Sequence, residues 1–190
     1  MRSARAPARR PSRRSEGQRR EGGQRREGGQ SLVEFALVLT PLMLILLGII
    51  QFGFIFNTYV TLTNATREAA REGSIYVYDR TLTKSQNDLV RNERIRTSLL
   101  ASMNLLGKAA PQFANSSSWT VSGTTYTTGD LTVTYTIPSG VTDTEPRTGQ
   151  RITVAARYHQ DLIIPFIADL LPQDTGGRLV LTGEVTMVAN

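Results

Sequence analysis

The sequence predicts an α+β protein carried on one long N-terminal helix, and three observations predict it. An uncharged apolar run of membrane-spanning length stands near the N-terminus. Helical periodicity returns further along, after Lys84. Strict alternation of apolar residues with threonine then takes over in the C-terminal half. The chain of 190 residues divides accordingly into a leader at 1–29, a helix at 30–73 and a head at 74–190. The head is expected to hold a second helix and three or four antiparallel strands, with the helices on one face of the sheet.

The leader is basic and has nothing to bury. Residues 1–29 hold ten Arg and three Glu, a net of +7, and no Leu, Ile, Val, Phe, Tyr or Trp. Such composition predicts disorder. A hexapeptide repeats within it, Gln18–Gly23 and then Gln24–Gly29. The whole chain carries +6, so residues 30–190 are left with 12 basic and 13 acidic residues. The basicity thus belongs to the leader alone. No aromatic residue interleaves with the arginines, so no stacking platform for single-stranded nucleic acid is offered, and no nucleic-acid partner is expected.

The helix follows directly. Leu32–Phe56 is 25 residues long, and no charge occurs from Phe35 to Thr66. About 20 apolar residues suffice to span a bilayer, which makes the lipid bilayer the first expected partner. The run exceeds the roughly 7–15 apolar residues of a signal peptide, and no small-x-small site follows it. Ten arginines upstream against Arg67 and Arg71 downstream place the N-terminus in the cytoplasm and the head outside. The helix continues past the membrane, where Leu62, Ala65 and Ala69 recur on one face and Gly73 supplies a stop. Gln30–Glu72 would then be a rod of roughly 65 Å, longer than the bilayer is thick. Pro41 and Gly48 are tolerated in membrane helices and fit this reading.

In the head, Ile95, Leu99, Met103 and Leu106 form a stripe within a second helix between Lys84 and Lys108, with Gly107 as its stop signal. Leu131, Val133, Tyr135 and Ile137 alternate with threonines in a half-buried strand that Pro138 ends. Ile152–Tyr158 and Leu179–Met187 repeat the alternation, and a weaker strand surrounds Trp119 and Val121. Asp161–Leu171 is the apolar exception. It suits a short helix under the sheet, a contact with a neighbouring subunit, or a segment dipping into the membrane surface.

One carboxylate stands inside the apolar run. Glu34 would cost about 2.5–3.5 kcal/mol at a helix centre and less near an interface. It follows a flexible cationic leader that ends in glycine: Gly28-Gly29-Gln30-Ser31-Leu32-Val33-Glu34-Phe35. This arrangement resembles the type IV prepilins. With Pro41, the Gln51-Phe52-Gly53 triplet and Asn64-Ala-Thr-Arg-Glu-Ala-Ala-Arg71, it is similar more narrowly to the TadE-like proteins, minor pilins or pseudopilins of tight-adherence (Tad, Flp-type) pilus systems. Weaker likeness lies around Ile164-Pro165-Phe166 and in the closing strand. The resemblance implies a pilin-like head and cleavage between Gly29 and Gln30 by a membrane aspartic prepilin peptidase. It also implies partnership with other pilin subunits and the Tad secretion machinery at the cytoplasmic membrane. Gln30 stands where many mature pilins begin with Phe or Met. Cleavage would create an α-amino group on Gln30, with Glu34 as the fifth residue of the new chain, and a neighbour's Glu34 could neutralise it in a staggered bundle. A paired charge is tolerable in low dielectric where a lone one is not.

Other chemistry has little support. The absence of Cys excludes disulfides and thiolate sites, and the single His159 excludes a His-rich metal site. No phosphate loop, zinc helix, calcium loop or nucleophile elbow accompanies His159 and Asp161, so no catalysis, metal or cofactor is expected. Asn64-Ala-Thr66 and Asn115-Ser-Ser117 match the glycosylation tripeptide, a pattern that chance supplies freely. The competing readings are an unprocessed single-pass anchor displaying a β-rich binding domain and a membrane protein whose Arg/Gly tail binds nucleic acid. The residue at the mature N-terminus separates them.

Overall fold

A computed structural model describes residues 24–103, 118–142, 146–164 and 170–190. The leader at 1–23, the end of the expected second helix with Leu106 and Gly107, Asn115, and residues 165–169 lie outside the described residues. The chain divides into two compact units, residues 1–44 and 45–190.

In the first unit the described residues belong to α1, which spans Gln24–Ser74. The helix is therefore already present at Gln24, ahead of the expected Gln30. Gln, Arg and Glu are good helix formers, and they carry the helix outward into what the composition had marked as leader. Pro41 sits inside α1 without ending it. It lacks the N–H that the carbonyl of Leu37 would otherwise accept.

The second unit contains the rest of α1 and the head. Along α1, Leu62, Ala65, Thr66, Ala69 and Ala70 are buried, a stripe at helical spacing. Its residues are small because the sheet comes close. A Cβ on Gly183 of the last strand would lie 2.8 Å from Thr66 Oγ1 and 3.2 Å from Leu62 Cγ, so only glycine fits there. Gly73 was expected to stop the helix. It is helical instead, and a Cβ there would meet Ile95 Cδ1 at 2.6 Å. The glycine admits α2, and the helix closes one residue later, where Ser74 Oγ donates to the Arg71 carbonyl at 2.8 Å.

α2 spans Lys84–Met103. Thr83 and Gln86 form its capping box: the Gln86 N–H donates to Thr83 Oγ1 at 3.3 Å and the Thr83 N–H to Gln86 Oε1 at 2.9 Å. Ile95, Leu99 and Met103 are fully buried, as the stripe predicts. Each contributes roughly 1.5–3 kcal/mol by leaving water.

The sheet has five antiparallel strands in the order β1-β2-β3-β4-β5: Thr120–Ser122, Thr125–Thr128, Leu131–Thr136, Arg151–Gln160 and Leu179–Val188. The α+β expectation holds, with one strand more than foreseen. β2 had been absorbed into a Ser/Thr/Gly loop because Thr-Tyr-Thr-Thr carries a single large apolar residue. Two-residue turns on Gly123 (φ 60) and Gly129 (φ 57) fold it between β1 and β3. Tyr126, Val133, Val154 and Val185 stand opposite one another across four strands. Their row faces α1 and α2 and joins the core with Leu131, Tyr135, Ile152 and Ala156. The opposite face carries Thr125, Thr134, Thr153 and Thr186 in register, a solvated surface that suits β-branched hydroxyls.

Candidate functional site

The residues singled out for processing and assembly lie on one turn of helix. Gly29, Gln30 and Glu34 are exposed, and Gln30 Nε2 donates to Glu34 Oε1 at 3.0 Å across an i, i+4 step. α1 thus presents the Gln30 and Glu34 side chains on one face. A Cβ at Gly29 would meet nothing within 4 Å, and its backbone is helical. Among the described residues, no packing calls for glycine there. A glycine costs a helix about 1 kcal/mol relative to alanine, so the Gly28–Gly29 pair weakens α1 just where the scissile bond is expected.

Beyond this turn the helix is apolar all round. Leu32, Val33, Phe35, Leu37 and Val38 are exposed, as are Ile45, Ile49, Phe52, Phe54 and Phe56. Mean hydropathy over 18 residues reaches 2.5, so α1 is long and apolar enough to cross a membrane. Three of its threonine hydroxyls are satisfied internally: Thr40, Thr61 and Thr63 each donate to the carbonyl four residues back, at 2.9 Å. Asn64 lies within α1, a poor setting for a glycosylation tripeptide.

His159 is placed between two carboxylates. Its Nδ1 lies 2.5 Å from Asp174 Oδ2 and its Nε2 lies 3.2 Å from Asp130 Oδ1. It ties the β2–β3 turn to the β4–β5 connection. Burial alone would lower the imidazole pKa, but the hydrogen bonds to Asp174 and Asp130 outweigh it and the net shift is upward. Asp174 is held below the usual carboxylate range by the Arg178 backbone N–H and by His159. Asp161 is exposed and has no part in this contact.

A buried polar network escaped the sequence reading. Arg147 donates from Nε and Nη2 to the two oxygens of Asp88, both at 2.7 Å, and from Nη1 to Gln150 Oε1 at 2.9 Å. Tyr126 donates its hydroxyl to Asp88 at 2.9 Å, and Tyr135 donates to Asn92 at 2.6 Å. The Arg147 guanidinium lies 4.2 Å from the Tyr135 ring centroid. Burial and the Asp88 carboxylate push the Tyr126 hydroxyl up to about 12. Arg147 adopts φ 55, a conformation unusual for a side chain of its size, and the bidentate pair holds it there. A signal was present. Asn87, Asp88, Arg91 and Asn92 continue the stripe of Ile95 and Leu99 backwards at helical spacing, but as polar residues they resemble a solvated face.

Among the described residues, a helix long and apolar enough to cross a membrane, followed in sequence by an α+β head, fits the class of membrane-anchored proteins. Within it, residues 29–71 match the family model described as TadE-like protein. The match begins on Gly29, takes in Gln30, Glu34 and Pro41, and ends on Arg71. This TadE-like domain with its apolar helix fits a Tad pilus-related membrane protein. No curated protein and no solved structure gives a significant match.

Proposed function

We propose that the chain is a minor pilin or pseudopilin. It inserts in the cytoplasmic membrane with its N-terminus inside, is cleaved between Gly29 and Gln30 by a prepilin peptidase, and joins a Tad-type pilus, or its base, for adherence or secretion. The observation that carries this reading is the TadE-like match that starts on Gly29 and contains Glu34. Two features support it. Gly29 has no packing role among the described residues, and Gln30 and Glu34 share a helix face. The protein is a structural subunit in this reading and not an enzyme. Its partners are the peptidase, neighbouring pilin subunits and the secretion machinery.

The test is genetic. In cells lacking their prepilin peptidase, the chain stays at full length in the membrane and disappears from the sheared pilus fraction. Undiminished recovery with that fraction would contradict the proposal.

A second reading, the unprocessed anchor displaying its head, draws on one observation. α1 is helical through the Gly29–Gln30 bond, and a peptidase must unwind a helix before cutting it. The cost of unwinding next to two glycines is small, which favours the processed form.

A further inference from the structure

Asp161–Leu171 is the most apolar stretch of the head, and its described residues meet α1 where their depth can be read. At the end of β4, Thr58 Oγ1 donates to Gln160 Oε1 at 2.7 Å. Three residues on, the Ile163 N–H donates to Gln51 Oε1 at 2.9 Å. The connection therefore descends along α1 from Thr58 to Gln51. The lengths agree, since seven helical residues rise about 10.5 Å and three extended residues reach about 10 Å.

Gln51 lies inside the apolar run. A hydrocarbon core takes about 20 helical residues. Counted from Leu32, that slab ends at Gln51; counted from Phe35, the first residue after Glu34, it ends at Phe54. In either register Gln51 and the Ile163 bonded to it lie at the hydrocarbon boundary or beneath it. This accounts for the amide in the run. A non-helical N–H at that depth has no water to bond, and the Gln51 side chain, itself 1% exposed, receives it. The apolar side chains near this level are left open: Ile163 is 65% exposed and Phe52 67%, and Leu170, further along the connection, is 75% exposed.

We infer that the start of the β4–β5 connection, residues 161–164, is a second membrane contact, with Ile163 seated in the lipid of the leaflet nearer the head. The lipid surface is the occupant because the helix that fixes Ile163 is itself at lipid depth. The inference rests on α1 crossing the membrane, and the test keeps the two apart.

The chain has no cysteine, so single substitutions Leu44→Cys, Val121→Cys and Ile163→Cys can each carry one fluorophore. The full-length protein is reconstituted in phosphatidylethanolamine–phosphatidylglycerol vesicles containing nitroxide-labelled lipid. Val121 is level with Val185 in the sheet register and serves as the reference away from the bilayer. Labels at Leu44 and Ile163 should be quenched several-fold more than the label at Val121. Strong quenching at Leu44 with only the Val121 level at Ile163 would overturn the second contact and leave the membrane helix standing. No quenching at Leu44 would overturn both. Adding Gln51→Leu should reduce quenching at Ile163 and leave Leu44 unchanged; quenching unaltered at Ile163 would remove Gln51 from the account.

Discussion

At the scale of single residues, the account turns on charges in unusual places. Glu34 occupies a position where a lone carboxylate is costly, and among the described residues it accepts a hydrogen bond from the neutral Gln30 amide. A positive group from a neighbouring subunit would complete the pair. Glu34→Ala is therefore expected to leave membrane insertion unchanged, by alkaline extraction of membranes, while pilus yield falls. Normal pili in that variant would end the pairing idea. His159 gives a second prediction. Its raised pKa stabilises the fold fully below the ordinary imidazole value of 6.5 and less as pH rises through the shifted value. The lowered Asp174 contributes fully above 3.8 and less as pH falls through its own shifted value. Between these limits both contribute, so thermal stability of the full chain should decline from mildly acidic to mildly alkaline pH. His159→Asn should flatten that decline; an unchanged slope would assign it to other groups.

At the scale of elements, close approach and buried polarity decide the packing. The stripe on α1 is small because β5 passes over it at Gly183, and the contact leaves no room for a branched side chain. Gly183→Val forces Leu62 and Thr66 aside, and overpacking of this kind costs about 1–3 kcal/mol. Arg147→Ala is the harsher change. It strips the buried Asp88 of its bidentate partner, and breaking such a pair costs about 3–5 kcal/mol. Both losses can be read from urea unfolding of the full chain in micelles, where an Arg147→Ala midpoint equal to wild type would refute the network's role. Elements with strong periodicity were legible beforehand: α1 from its uncharged run, α2 from Ile95, Leu99 and Met103, β3 to β5 from threonine alternation. β2 was not, because its one core residue, Tyr126, is flanked by threonines that suit a loop equally well. The Asp88–Arg147 pair was not legible either, since its partners are 59 positions apart and only the fold brings the β3–β4 connection onto α2.

At the scale of the whole molecule, the +6 charge divides into a basic leader and a nearly neutral remainder. In the proposed life cycle the leader orients the chain and is then removed, so the mature subunit carries about −1 from its side chains. The same proposal makes α1 both membrane anchor and the spine under the sheet. The shared helix face of Gln30 and Glu34 is legible in sequence because it depends on spacing along one helix. The depth of the β4–β5 connection is not, because it depends on a bond between residues 112 positions apart. The most direct measurement of the central claim is the intact mass of the chain recovered from membranes of cells with an active Tad system. The account predicts a protein beginning at Gln30, with residues 1–29 absent. A mass that retains Met1 or Arg2 throughout the membrane fraction would contradict it.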